Sequence, residues 1–280
     1  MNIPSLSSFP NLPKLGEKIP DNMKTVSVTR RHIVAVSHAV PADRVLKALP
    51  ALHPSLSLDT LKIGGESCAI LQTIVSLNDN FHYTPLPIPN LDFWQLDFGV
   101  LVRRQASETA AREPGTFIVQ SFLGTRAAWG IQRAVASEAD FADFNVIMRA
   151  SATEAYSPLI ADIHPTDGTP STQMAIRNAE ELTLQAPFAN RSKMTEFLSA
   201  RSTTYSKTSV GEKFVALKSD FALALNPLPG EFAPVGGEIR EARFGLWEKL
   251  NLLNASEMRR PFAILIQPEI KTVLQAPTLL

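Results

Sequence analysis

The segment SFLGTRAAWGIQRAVASEADF, between two stretches that read as strands, carries Arg126, Trp129, Gln132, Arg133 and Glu138. As a helix it places Arg126, Trp129 and Arg133 at i, i+3 and i+7, on one stripe. Trp129 and Arg133 are i, i+4 neighbours, so a guanidinium can lie over an indole face. Leu123, Ala127, Ile131 and Val135 form a second stripe at spacing four, expected to pack on a sheet. An indole is costly to leave in water, so the Arg/Trp face is expected to look into a cleft. There Arg133 would bind an anionic group and Arg126 and Gln132 would add hydrogen bonds. Glu138 would move a proton or pair with an arginine. The bland alternative is a core tryptophan flanked by arginines whose stems cover apolar surface.

A second constellation lies in FWQLDFGVLVRR (93–104). Strand alternation puts Gln95, Asp97, Gly99 and Leu101 on one face and Phe98, Val100 and Val102 on the other. If the first face turns inward, Gln95 and Asp97 line a cavity near its mouth. Asp97 can then pair with Arg133, a buried acid–cation device that a ligand or further hydrogen bonds must complete. If it turns outward, both are solvent-face residues. Trp129, with Phe98 or Phe122, is expected to wall the site. His82 and Tyr83, in FHYTPLP, are expected in a proline-stiffened loop that either caps the cavity with a proton donor or is merely structural. Lys218, in VALKSDF, is the one lysine placed to act as an amine nucleophile; otherwise it is a surface lysine.

Several chemistries lack their residues. The five histidines show no i, i+3 or i, i+4 spacing and no HExxH occurs, so no metal is expected, and no cofactor. Cys68 is the only cysteine, which excludes an internal disulfide; its apolar strand makes it a small buried hydrophobe. Ser121 lacks a Gly-x-Ser-x-Gly elbow. Lys+Arg and Asp+Glu are both 27, so no basic excess drives binding to nucleic acid or an anionic membrane. With no secretory or spanning apolar segment, a cytoplasmic location is the default.

The elements that must position these residues are mostly strands. TVSVTRRHIVAVSHAV alternates as a strand. PADRVLKALP reads as a short helix with Val45, Leu46 and Leu49 inward. LSLDTLKIGGESCAILQTIVSL is a hairpin turning at Gly64-Gly65, and GTFIVQSF and EKFVALKSDFALAL add strands. NRSKMTEFLSARST is a helix facing a core with Met194, Phe197 and Leu198. REARFGLWEKLNLLN is another, with Leu246, Trp247, Leu250 and Leu253 inward. NDNFHYTPLPIPNLD, with Pro85, Pro87 and Pro89, is expected to be loop. Residues 1–24, carrying four prolines, read as an extended arm, and 25–280 as one β-dominated α+β domain with a strongly curved or barrel-like sheet. The arm leaves room for a homo-oligomer.

The series LSLDTLKIGGESCAILQTIVSL, LDFWQLDFGVLVRR, PGTFIVQSFLGTRAAWGIQR and FLSARSTTYSK…GEKFVALKSDFALALNPLP resembles, in order and spacing over about 30–275, the uncharacterised DUF2071 (YqjF-like) family of the acetoacetate decarboxylase-like superfamily. The resemblance implies a cone-shaped antiparallel sheet around a central cavity, with helices outside. It also places Arg133, in WGIQRA, where that superfamily's decarboxylases carry a Schiff-base lysine. Arginine stays protonated and delocalised and cannot form an imine. The chain departs again at 93–102, where the uncharacterised family often shows Glu-x-Asn-x-Arg and this sequence has Gln95, Asp97 and Gly99.

Three functional readings follow. One is a lyase, isomerase or cyclase of secondary-metabolism type acting on an oxo-acid-like or other small organic substrate without an imine. Another is a non-catalytic binding protein using the same cavity. The third is a structural or assembly role for the Pro-rich arm and a sheet edge.

Overall fold

The two-residue turn at Gly64-Gly65 organises the first half of the sheet. Both glycines have positive φ, 59° and 91°, the geometry that twists a tight hairpin correctly. They join β3 (Thr60–Ile63) to the long β4 (Glu66–Tyr83). In chain order the other elements of this half are β1 (Thr25–Pro41), α1 (Ala42–Ala48), β2 (Leu56–Leu58), β5 (Leu91–Arg104), β6 (Glu113–Leu123) and α2 (Arg126–Val135). Then come β7 (Ala139–Met148), β8 (Leu159–Pro165), β9 (Thr172–Ile176), β10 (Glu180–Glu181), α3 (Arg191–Ser199), β11 (Thr203–Lys207) and β12 (Phe214–Lys218). The chain closes with β13 (Ala233–Gly236), β14 (Glu241–Arg243), α4 (Gly245–Lys249), α5 (Ala255–Met258), β15 (Ala263–Gln275) and β16 (Thr278–Leu279). The computed structural model describes residues 25–49, 51–83, 90–105, 112–135, 139–148, 159–176, 180–181, 187–199, 201–208, 213–218, 233–236, 239, 241–275 and 278–280. The arm at 1–24 lies outside them.

The strands run in the order β10-β13-β15-β1-β4-β5-β6-β7-β8-β9-β14, curled into an open half-barrel. This is the β-dominated α+β cone expected from the strand pattern. Pairing is antiparallel except where β6 meets β7 and β11. The β6–β7 exception follows from the α2 crossover, since two parallel strands cannot be joined by a tight hairpin. Among the described residues no helix is long and apolar enough to cross a membrane.

Both faces of β5 are buried. Phe98, Val100 and Val102 join Phe122, Val34, Val75 and Trp247 in the main core, with Phe98 edge-on to Trp247 and Phe122. The Trp247 indole donates to Thr73 Oγ1 at 3.0 Å, which satisfies its one polar atom inside that core. On the opposite face two smaller clusters form. Met194 and Leu198 of α3 pack on Ala35, Ile70 and Leu101, while Ala128 and Trp129 of α2 pack on Phe93 and Leu123.

A charged fastener ties α3 to this frame. Arg201, just past the helix, donates from Nη2 to Asp59 Oδ2 at 2.7 Å, from Nη1 to Val102 O and Gly115 O, and from Nε to Phe197 O. Arg103 Nε meets the other Asp59 oxygen at 2.6 Å.

Three local expectations need correction. The stretch expected as loop from Asn78 onward continues β4, and His82 and Tyr83 pair with Ser27 and Val26. A bulge between Asn78 and Phe81, with Asn80 at φ 53°, absorbs the irregularity and lets pairing resume before the prolines begin. Leu46 is 57% exposed, because the helix turns Val45, Ala48 and its C-cap Leu49 toward the core instead. In α2 the buried alanine is Ala128 and Ala127 is exposed, so the helix is rotated from the expected stripe by the need to seat Trp129.

Candidate functional site

Four adjacent residues on neighbouring strands close a ring of hydrogen bonds on the α2 side of the sheet. Arg30 of β1 donates from Nε to Asn78 Oδ1 at 3.2 Å. Asn78 of β4 donates from Nδ2 to Gln95 Oε1 at 2.8 Å. Gln95 of β5 donates from Nε2 to both oxygens of Asp97, at 2.8 and 2.9 Å. Arg30 Nη2 completes the circuit to Asp97 Oδ2 at 3.4 Å. Ser121 of β6 adds a short hydroxyl bond, 2.6 Å, to Asp97 Oδ1.

Strand register explains the gathering. Arg30 stands opposite Asn78, and Asp97 opposite Ser121, so all point to one face. Asn78, Gln95, Asp97 and Ser121 are buried, while the Arg30 side chain stays 23% exposed. A buried carboxylate needs this many donors and a counter-charge to offset desolvation.

The ring has spare capacity. Arg30 Nη1 takes no partner among the described residues, and a guanidinium has five N–H donors. Ser76 Oγ, on the same face opposite Gln95, is fully buried and also has no partner. Ile74, directly across from Asp97, is only half-buried, so solvent-sized space reaches this row.

The backbone is irregular around the ring. β1 bulges between Arg31 and Val34, β4 between Asn78 and Phe81, and the β5–β6 pairing shifts between Phe98 and Gly99. His32 and Asn80, each two residues past a ring member, have φ of 52° and 53°. Bulges re-aim side chains, and left-handed non-glycine residues carry strain that packing must hold. The His32 ring stacks on Trp94 with centroids 6.5 Å apart; burial first, and Arg31 second, push its pKa down.

Gln95 and Asp97 thus occupy the ring, and α2 lies beside it through Phe93 and Leu123. Trp129 anchors that helix, its Nε1 donating to Ala139 O at 2.8 Å. Gln132 is half-buried on the same helix. Arg126 is exposed, with its guanidinium 5.2 Å from the Phe141 ring centre, outside the ring of polar residues. Phe122 and Phe98 alternate away from Ser121 and Asp97 and belong to the main core, so neither walls this site. His82 is half-buried on β4. The side chains of Arg133 and Tyr83, and all of Glu138, lie outside the described residues. Lys218 is exposed at the end of β12. Among the described residues no cluster of three or more His, Cys, Asp or Glu is arranged to hold a metal.

The pattern reading missed Arg30, Asn78, Ser76 and Ser121. The signal for Arg30 was present: in TVSVTRRH it falls in phase with Val28, which is 5% exposed, so a cation sits where a buried apolar residue is due. Ser76 and Asn78 break the apolar run of β4 at spacing two in the same way.

No protein-family model and no curated protein sequence matches this chain. Solved structures do. The enduracididine biosynthesis enzyme MppR complexed with pyruvate aligns with TM-score 0.56 at 11% identity, covering 94% of this chain and 93% of that one. The acetoacetate decarboxylase of Legionella pneumophila also aligns with TM-score 0.56 at 11% identity, over 100% and 97%. An acetoacetate decarboxylase-like enzyme from Sphingomonas wittichii RW1 aligns with TM-score 0.55 at 8% identity, over 96% and 98%. The described residues therefore share the fold of these acetoacetate decarboxylase-like structures.

Proposed function

We propose that the Arg30–Asn78–Gln95–Asp97 ring is the centre of an active site for proton-transfer chemistry on a small oxo-acid-like substrate, of the lyase, isomerase or cyclase type. The carrying observation is a buried carboxylate held by Gln95, Ser121 and a partly exposed arginine, with an unused guanidinium edge and an orphan serine hydroxyl on the same face.

Each part has a role. Arg30 offers its free edge to the substrate carboxylate, where planar bidentate geometry suits it. Asp97 takes or returns the proton at the carbon beside the substrate carbonyl. Gln95 and Ser121 hold Asp97 in place, and Ser76 Oγ hydrogen-bonds the substrate. Arg133 supplies a second cation from α2, and Glu138 a second carboxylate. A neighbour of the same fold complexed with pyruvate, and another form of it with a pyruvate–imidazole 4-carboxaldehyde condensation product, support a small oxo acid as the substrate class.

The reaction proceeds without an imine. None of the lysines whose side chains are described is buried, and Arg133 occupies the position that the family resemblance gives to the nucleophilic amine. The series of motifs supports assignment to the DUF2071 family, in which the chemistry would differ from decarboxylation through a Schiff base.

The test is a panel of 2-oxo and 3-oxo acids run on wild type, Arg30→Gln, Asp97→Asn and Arg133→Ala. Turnover lost in the variants, with folding retained, supports catalysis. Ligand-induced thermal shifts without turnover in any protein would instead identify a binding protein. Borohydride with pyruvate should leave the mass unchanged, and a reduced adduct on any lysine would refute the imine-free route.

A further inference from the structure

A second pair of orphaned polar atoms lies at the other end of β5. Arg104 is the last residue of that strand, seven positions from Asp97, or ~23 Å along the chain at strand rise. Its parity is that of Phe98, Val100 and Val102, so it points to the face opposite the Asp97 ring. Its Nε atom is buried and has no hydrogen-bond partner. Its strand partner Glu113 is exposed and forms no ion pair with it among the described residues.

Tyr205 of β11 approaches the same end of the sheet. Its backbone is in register with Phe117, but its ring leans over Gly115, where an added Cβ would lie 2.3 Å from Tyr205 Cε2. The phenol therefore reaches from the Phe117 row past Gly115 toward the Arg104–Glu113 row. Tyr205 is fully buried, and its hydroxyl, like Arg104 Nε, has no hydrogen-bond partner. Burial pushes the phenol pKa up, with Glu113 acting in the same direction, against smaller opposing effects of Arg104 and Thr203. Thr203 does not complete a hydrogen bond to it.

A buried donor left unpaired keeps its full desolvation penalty, so two together are not neutral decoration. We propose that Arg104 and Tyr205 form a second binding site, for a small carboxylate, distinct from the Asp97 ring. Both orphan groups donate, which calls for an acceptor. A guanidinium Nε–H beside a hydroxyl suits two carboxylate oxygens. One cation with Glu113 nearby favours a monoanion over a phosphate dianion, whose second charge would be desolvated without a partner. Leu56, opposite Arg104 in β2, and Phe117 provide apolar walls for a short alkyl substituent.

The test is calorimetric titration of the full chain with sodium propionate, with sodium phosphate as the second arm. The expected result is saturable propionate binding, weakened at least tenfold in Tyr205→Phe and Arg104→Gln and retained at one site in Arg30→Gln. Arg104→Lys, which keeps the charge but lacks Nε, is read if Arg104→Gln does not fold. Absence of saturable binding overturns the site, as does binding that survives both substitutions or that only Arg30→Gln removes. Phosphate binding more tightly than propionate overturns the monoanion assignment. A crystal structure with one water bridging the two atoms, undisplaced by propionate, overturns the site as well. The Arg30→Gln arm keeps failure here separate from failure of the proposed active site.

Discussion

Arg201 and Arg30 each reach a buried aspartate from a neighbouring element, and the two surroundings differ in how fully they use the guanidinium. Arg201 is 4% exposed in its side chain. It spends its donors on Asp59 and three backbone carbonyls, and its plane lies 4.8 Å from the Phe197 ring centre. Arg30 is 23% exposed, bonds Asn78 and Asp97, and leaves Nη1 without a partner among the described residues. The aspartates differ likewise. Asp59 sits where β2 bends into β3, and its two oxygens are taken by Arg201 and Arg103 at 2.7 and 2.6 Å. Asp97 is held by amide and hydroxyl donors beside an orphan serine. A saturated pair can only fasten. A pair with the same chemistry and unfilled valence can also bind, and bulges on the surrounding strands accompany the second pair.

The largest effect should come from breaking the fastener. Asp59→Ala strands Arg201 in the interior and should lower unfolding free energy by about 3–5 kcal/mol, read from urea midpoints. Asp97→Ala should cost less, since Arg30 can turn to solvent. If Asp97→Ala proved the more destabilising, the contrast between the pairs would be reversed.

A third buried titratable group separates acid stability from both pairs. His38 Nε2 donates to Met258 O at 3.1 Å, and its Nδ1 has no partner. Burial lowers its pKa to about 4, against smaller opposing effects of the Met258 carbonyl and Glu257. The unfolded chain takes up a proton near 6.5 that the folded chain refuses until about 4. Stability from this group is therefore complete above pH 6.5 and falls as pH drops to 4, by about 3 kcal/mol in all. His38→Gln should flatten that slope by close to one proton; an unchanged slope would assign acid sensitivity elsewhere.

Next in size is a kinetic effect. Asp97→Asn keeps the shape of the ring but removes the proton acceptor, so turnover of an accepted oxo acid should fall at least about 100-fold. The urea midpoint should move much less than in Asp59→Ala. A variant that loses stability while retaining turnover would make Asp97 a second fastener.

Where the sequence was informative, a single local rule sufficed. The Gly64-Gly65 hairpin, the buried Cys68 and the Met194/Leu198 face of α3 each follow from turn chemistry or periodicity, and the structure has them. Gln95 and Asp97 were legible because two polar residues at spacing two in an apolar strand demand a shared face. Their partners were not, because Arg30, Asn78 and Ser121 come from three other strands and only register brings them together. The run from Asn78 to Tyr83 was misread for a related reason. Asparagines signal irregularity, but bulged pairing accommodates them as well as a loop does.

The smallest expected effect sharpens the limits of the site. The Arg126/Trp129 stripe predicts a shared cleft, yet the Arg126 guanidinium lies over Phe141 on an exposed surface. Arg126→Ala should therefore cost only about 0.5–1 kcal/mol, the scale of an exposed cation–π contact, and leave turnover unchanged. Trp129→Phe provides the internal control, since it removes the hydrogen bond to Ala139 O that ties α2 to β7. Its larger loss of stability should appear without Arg126 being touched. Suppose instead that Arg126→Ala matched Asp97→Asn in turnover. The ligand would then extend over the outer face of α2, and the ring of four strand residues would be only one side of the active site.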